Sequence, residues 1–216
     1  MTTVKANFRG VFQHPDIIVS MPSGPDFGAQ AVLAYFEDAV RQGTVFHAGE
    51  TVQMGWLMLN LRATNDGDLE VLEPRFGEIP IVWECGASKT YRQLVVQESV
   101  AELFDVEPLF PSLAQSAVIS PDFMMSTNTQ MFRDPPSGTD SGWLFTTAEN
   151  ESDDGRLVSL FEIASKRPEV IPFLALPSES SVSINGKFIH VNCADKVIDS
   201  DSNELLRRLL ASDLIS

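Results

Sequence analysis

Ser181-Val182-Ser183-Ile184-Asn185-Gly186-Lys187-Phe188-Ile189-His190-Val191 is the stretch whose reading decides the fold. Two strand-like runs flank Asn185-Gly186, a dipeptide whose ready access to positive φ suits a two-residue hairpin turn. Antiparallel pairing is therefore built in at this point. Upstream, Gln130-Met131-Phe132-Arg133 and Gly142-Trp143-Leu144-Phe145-Thr146 read as another strand pair. The intervening Asp134-Pro135-Pro136-Ser137-Gly138 is rich in turn formers. Ala117-Val118-Ile119 starts this half of the chain as a strand, and Leu157 to Ser165 reads as a short helix ended before Pro168. Downstream, Ser202 is placed to cap a last helix whose Leu205, Leu206, Leu209 and Leu210 share a face.

The first half carries the same mixture. Ile17-Ile18-Val19 is a buried-strand pattern broken by Pro22-Ser23-Gly24-Pro25. Asp26 is placed to cap a helix, Ala29, Val32, Leu33, Phe36, Ala39 and Val40 follow the helical period, and Gly43 closes it. Thr51 to Leu61 reads as one strand with a nearly continuous apolar run, turned by Asn65-Asp66-Gly67-Asp68 into Leu69 to Glu73. Ile79 to Cys85 reads as a further strand, and Tyr91 to Phe104 as a helix within which Leu94-Val95-Val96 could extend as a strand. Strands and helices without a regular βαβ rhythm give an α+β class with mainly antiparallel sheets. Two prolines in Glu107-Pro108-Leu109-Phe110-Pro111-Ser112 suit a boundary, which divides the chain into packed units at 1–110 and 113–216. Trp56, Trp83 and Trp143 sit in apolar runs and are core candidates.

Composition narrows the function. Of 216 residues, 30 are acidic and 15 basic, for a net charge of −15. The excess is spread evenly: residues 1–112 hold 15 acids and 7 bases, residues 113–216 hold 15 acids and 8 bases. Such a surface opposes direct binding of nucleic acid or an anionic membrane, and suits a basic protein partner or plain solubility. Cys85 and Cys193 stand far apart in apolar surroundings, as core residues rather than a disulfide or zinc pair. The start of the sequence has no apolar run with a small-residue cleavage site, and no stretch has the length of a membrane span, so the expected location is cytoplasmic.

No catalytic arrangement is legible. His14, His47 and His190 each stand alone, with no spacing for metal or acid–base work. Ser141-Gly142 lacks the nucleophile elbow, and no phosphate-binding glycine loop occurs. The expectation is a non-enzyme with no cofactor and no metal. A carboxylate pair for hydrolysis hidden in the acid excess is an alternative, as is a simple acidic adaptor module. Glu149-Asn150-Glu151-Ser152-Asp153-Asp154-Gly155 is the nearest approach to a cation loop, but its spacing does not match one.

The second half resembles a domain of bacterial immunity proteins from polymorphic-toxin and type VI secretion systems, over about residues 115–192. The resemblance is carried by Met131-Phe132-Arg133-Asp134-Pro135-Pro136 and Asp140-Ser141-Gly142-Trp143-Leu144-Phe145. Leu157, Phe161, Ile163 and Ala164 continue it, followed by Pro168-Glu169-Val170-Ile171-Pro172-Phe173-Leu174. Thr147-Ala148-Glu149 stands where the family commonly has Gly-Asp-Glu. The resemblance implies a protein that neutralises a cognate toxin, a nuclease with a basic cleft being the partner that suits the charge. Glu149, Glu151, Asp153 and Asp154, with Asp140 nearby in sequence, are the expected toxin-facing residues: four acids without a base directly follow the tryptophan strand. In the first half, His14-Pro15-Asp16-Ile17-Ile18-Val19 and Gly43 to Glu50 are similar to an uncharacterised bacterial domain family.

Overall fold

The computed structural model describes residues 2–21, 27–147 and 154–211, so the expected Asp26 cap and the Pro22–Pro25 break lie outside the described residues. The chain divides into two units, 1–94 and 95–216. Each combines helices with a mixed sheet in which antiparallel pairs dominate, an α+β arrangement.

The first unit runs β1 (Thr2–Lys5), α1 (Phe8–Phe12), β2 (Ile17–Met21), α2 (Phe27–Arg41), β3 (Thr51–Met54), β4 (Leu57–Ala63), β5 (Leu69–Pro74), β6 (Trp83–Cys85) and the start of α3 (Ser88–Leu103). Its sheet has the order β1-β2-β5-β4-β3, with β6 also paired to β5. Among the described strands of this sheet, only β2 and β5 run parallel. Helical spacing puts Ala29, Val32, Leu33, Phe36 and Val40 on one stripe, and all five are buried with Ile17, Val19, Leu59, Leu61 and Val71. The helix ends where the N–H groups of Gly43 and Thr44 reach back to the carbonyls of Val40 and Ala39, a Schellman closure.

The apolar run from Thr51 to Leu61 is a hairpin rather than one strand. It turns at Gly55-Trp56, with Met54 opposite Leu57. The turn is hard to see in sequence because Trp56 is itself buried, its indole N–H donating to Gln93 Oε1 at 2.7 Å. Of the strand expected from Ile79 to Cys85, only Trp83–Cys85 pairs. Trp83 is half-buried and Cys85 exposed, so neither is the core residue that the apolar context suggested. The three residues pair with Leu72 to Pro74 of β5.

The second unit continues from α3 through β7 (Ser116–Ile119), β8 (Thr129–Arg133), β9 (Asp140–Thr146), β10 (Arg156–Ser159), α4 (Leu160–Lys166), a 3-10 turn (Pro168–Phe173), β11 (Ser181–Ile184), β12 (Ile189–Cys193), β13 (Lys196–Asp199) and α5 (Glu204–Ala211). Its seven-stranded sheet has the order β10-β7-β9-β8-β11-β12-β13, with β7 and β9 parallel. The Asn185-Gly186 hairpin forms as expected, Ile184 opposite Ile189. The helix expected from Leu157 starts later, because Leu157–Ser159 pair with β7 and the Ser159 hydroxyl then caps α4 through the Glu162 N–H. Asn203 rather than Ser202 caps α5, accepting from the Leu206 N–H.

The division falls inside α3, upstream of the Pro108–Pro111 segment expected to mark it. That segment is tied into the second unit: the Leu109 N–H donates to the Ala175 carbonyl at 2.8 Å. Along α3, Tyr91 and Leu94 pack on the first core, whereas Gln97 donates to the Ile171 carbonyl.

The buried Glu73 carboxylate accepts the backbone N–H and the hydroxyl of Thr90 at 2.9 and 3.1 Å, so it caps α3 from another strand. Burial pushes this carboxyl above its ordinary value, and the Thr90 hydrogen bonds offset only part of the shift. A raised carboxyl contributes stability that is complete below its unfolded value and is lost as pH rises through the folded one. Glu73→Gln keeps an acceptor for Thr90 without the charge. In urea titrations from pH 4 upward, the variant should gain on the wild type as pH rises. A difference between them that does not move with pH would remove the burial argument.

Candidate partner-binding site

The residues that carry the family resemblance form a clasp inside the second unit. Arg133 ends β8 with its side chain on the covered face, only 2 % exposed. Among the described residues no carboxylate pairs with it. Its guanidinium donates to the carbonyls of Leu109 at 2.7 Å, Leu174 at 2.9 Å and Leu176. It also lies over the Trp143 ring, 5.3 Å from the centroid. Burial lowers its pKa to about 10, which leaves it charged at neutral pH. The Trp143 indole N–H donates to the same Leu174 carbonyl at 3.0 Å. The Pro168–Phe173 turn therefore delivers carbonyls to an arginine and a tryptophan on adjacent strands.

Asp140-Ser141-Gly142-Trp143 is equally structural. Asp140 Oδ1 accepts the Gly142 N–H at 2.9 Å, and the Ser141 hydroxyl donates to the Ser116 carbonyl at 2.8 Å, joining β9 to β7. Gly142 has φ +78, and a Cβ there would stand 2.1 Å from the Asp134 carbonyl oxygen. Glycine is required because the strand both turns left-handed and passes against the Asp134-Pro135 backbone.

The expected binding residues are not gathered in one place. Asp140 lies half-buried at the start of β9, opposite Ser116 at the start of β7. Asp154 is exposed just before β10, whose Arg156 pairs with Ile119 at the other end of β7. The two acids therefore flank opposite ends of β7. Glu149, Glu151 and Asp153 lie outside the described residues.

Between those ends the open face of the sheet carries an apolar row that the sequence reading missed. Leu157, Val118, Leu144 and Phe132 stand opposite one another across β10, β7, β9 and β8. Leu157 is 67 % exposed, Phe132 43 % and Leu144 37 %. Their strand neighbours Val158, Ile119, Phe145 and Met131 are buried on the opposite face. The signal was present: Met131-Phe132, Trp143-Leu144-Phe145 and Leu157-Val158 are apolar at both parities, although a sheet covered on one face needs only one.

The histidines and acid pairs lead elsewhere. His14 is buried between backbone partners: Nε2 accepts the Phe46 N–H at 2.8 Å, so Nδ1 carries the proton toward the Pro15 carbonyl at 2.6 Å. Asp16 and Asp68 come together, but around Lys5 and Arg9: Lys5 Nζ lies 2.6 Å from Asp68 and 3.3 Å from Asp16, and Arg9 2.8 Å from Asp68. Burial pushes the Asp16 carboxyl up, yet the Arg9 N–H and the Lys5 ammonium outweigh it and hold it below the ordinary value. A general acid needs the opposite shift. Among the described residues, no group of three or more His, Cys, Asp or Glu could hold a metal ion. No helix among them is long and apolar enough to cross a membrane.

These features make the second unit a sheet held by an internal clasp, with one face covered and the other presented. Residues 96–194 match the Imm33-like domain, from an immunity-protein family, and the chain is similar to that family over this segment. The segment runs from α3 through β12 and contains both the clasp and the open face. No curated protein and no solved structure matches the chain.

Gly142→Ala places a methyl group against a carbonyl and forces an L-residue into left-handed backbone. It should cost about 2 kcal/mol or more of unfolding free energy. Chemical denaturation measures it, and a cost within about 0.5 kcal/mol would show that the strand can shift without penalty.

Proposed function

We propose that this chain is an immunity protein that binds and neutralises a cognate antibacterial toxin, acting in the cytoplasm as one half of a type VI effector–immunity pair. The observation that carries the reading is the Imm33-like match across 96–194. Immunity requires binding rather than chemistry, so the family likeness also favours a non-enzyme. The net charge of −15 supports a partner with a basic active-site cleft, a nuclease above all. Such a cleft is shaped to hold phosphates, and carboxylates can occupy it in their place. We assign the acids Glu149, Glu151, Asp153 and Asp154, together with Asp140, to the toxin-facing surface. Long-range attraction between the two charge patterns speeds encounter and weakens as salt shortens the Debye length.

The test is co-expression with a toxin encoded beside the gene for this chain. The chain should restore growth, and the purified pair should form a stable complex. Replacing Glu149, Glu151, Asp153 and Asp154 by their amides should slow association about tenfold at low ionic strength and flatten its salt dependence. Stopped-flow association at several salt concentrations reads both effects. Unchanged rates and unchanged protection would remove this loop from the interface.

A further inference from the structure

The open face of the second sheet has a charge pattern as well as an apolar row. Register and alternation place Leu157, Val118, Leu144 and Phe132 on it, with Ser181, Asn192 and Val197 continuing the same row. The neighbouring row, Thr146, Gln130, Ser183, His190 and Asp199, is polar. No lysine or arginine occupies the outward-facing positions of the seven strands, whereas Asp140 and Asp199 do. The sheet's bases lie on the other parity: Arg133 is buried in the clasp, Lys196 of β13 pairs with Asp105, and Arg156 at the start of β10 is exposed opposite the buried Ile119. Asp154 adds an exposed acid at the β10 end. An apolar centre with an acidic edge is therefore continuous across four strands.

We propose that this face is the toxin-docking surface, with Phe132, Leu144, Leu157 and Val118 as its apolar centre. The occupant is a toxin surface that presents an apolar patch ringed by lysines or arginines. The inference rests on the immunity reading above and specifies where and how that binding occurs. Charge selects the occupant. A second copy would bring together two faces whose outward strand positions hold acids and no lysine or arginine, on chains of net charge −15, and like charges at that range oppose association. A basic partner turns the same acids into attraction. It also buries the row, where large apolar side chains at the centre of an interface carry most of the affinity. Docking of this kind needs no exposed sheet edge, since β10 and β13 remain at the margins.

The test uses the full chain and the adjacent toxin gene's product, inactivated in its active site. Phe132→Ser, Leu144→Thr and Leu157→Ser change outward side chains, and their melting temperatures should stay close to that of the wild type. Each should weaken the complex about tenfold, mostly through faster dissociation. Hydrogen exchange of wild-type protein in the complex should show new protection in 116–119, 129–133, 140–146 and 156–159. Wild-type affinity in all three folded variants, or protection confined to the first unit, would overturn the surface while leaving the immunity reading intact. If a variant misfolds, the exchange footprint decides alone. Failure of the wild-type chain to bind the toxin at all would overturn both. A dimer of this chain that Phe132→Ser dissociates would assign the face to a second copy and overturn the proposal.

Discussion

Arg133 is a charge placed in the core with no countercharge among the described residues. Removing a guanidinium from water is costly unless hydrogen bonds replace the lost hydration. Here one of its nitrogens donates to the carbonyls of Leu109, Leu174 and Leu176 and the group lies over the Trp143 ring, while the buried Nε has no partner among the described residues. Those acceptors come from two separate segments, so the arginine joins the proline segment after α3 and the end of the 3-10 turn to the middle of the sheet. The dependence is mutual. Without the arginine, buried carbonyls lose their donors. Without the turn, the charge has no acceptors. This pairing explains why an arginine, a tryptophan and two prolines far apart in sequence belong to one unit.

The clasp also decides what the sheet offers to solvent. With Arg133, Trp143, Phe145 and Met131 turned inward, strict alternation leaves Phe132 and Leu144 facing out, and pairing with β7 and β10 adds Val118 and Leu157. The apolar row is thus the reverse side of the core pattern. Asp140 and Asp154 lie on either side of that row, at opposite ends of β7, because β9 runs parallel to β7 and β10 antiparallel to it. The first unit solves a comparable problem differently. Its buried acids Asp16 and Asp68 are met by Lys5 and Arg9, and Glu73 by the N-terminal turn of α3. Where the second unit buries a cation among carbonyls, the first buries carboxylates against cations and backbone N–H groups.

Much of this was legible in the sequence. Helical spacing located α2, Asn185-Gly186 located a hairpin, and the mixture of periods gave the α+β class. The motif around Asp140-Ser141-Gly142-Trp143 gave the family likeness. These are local signals, fixed by dihedral preference and by the periods of helix and strand. The acidity was equally plain, since charge is a property of composition.

Tertiary structure decided the rest, because each remaining question depends on which distant groups meet. The apolar run from Thr51 to Leu61 could not reveal its own turn, since Trp56 at that turn is buried and donates to Gln93 from α3. The prolines at 108 and 111 suit a boundary by sequence, but Leu109 bonds both Arg133 and Ala175. Asp140 and Asp154 are neighbours in sequence order but are separated by the length of β7. Nothing short of strand order and register shows that Leu157, Val118, Leu144 and Phe132 stand in line. Sequence fixes the parity of each strand. Which parity faces the core, and which residues of four strands then lie side by side, is settled only when the sheet assembles around its buried arginine.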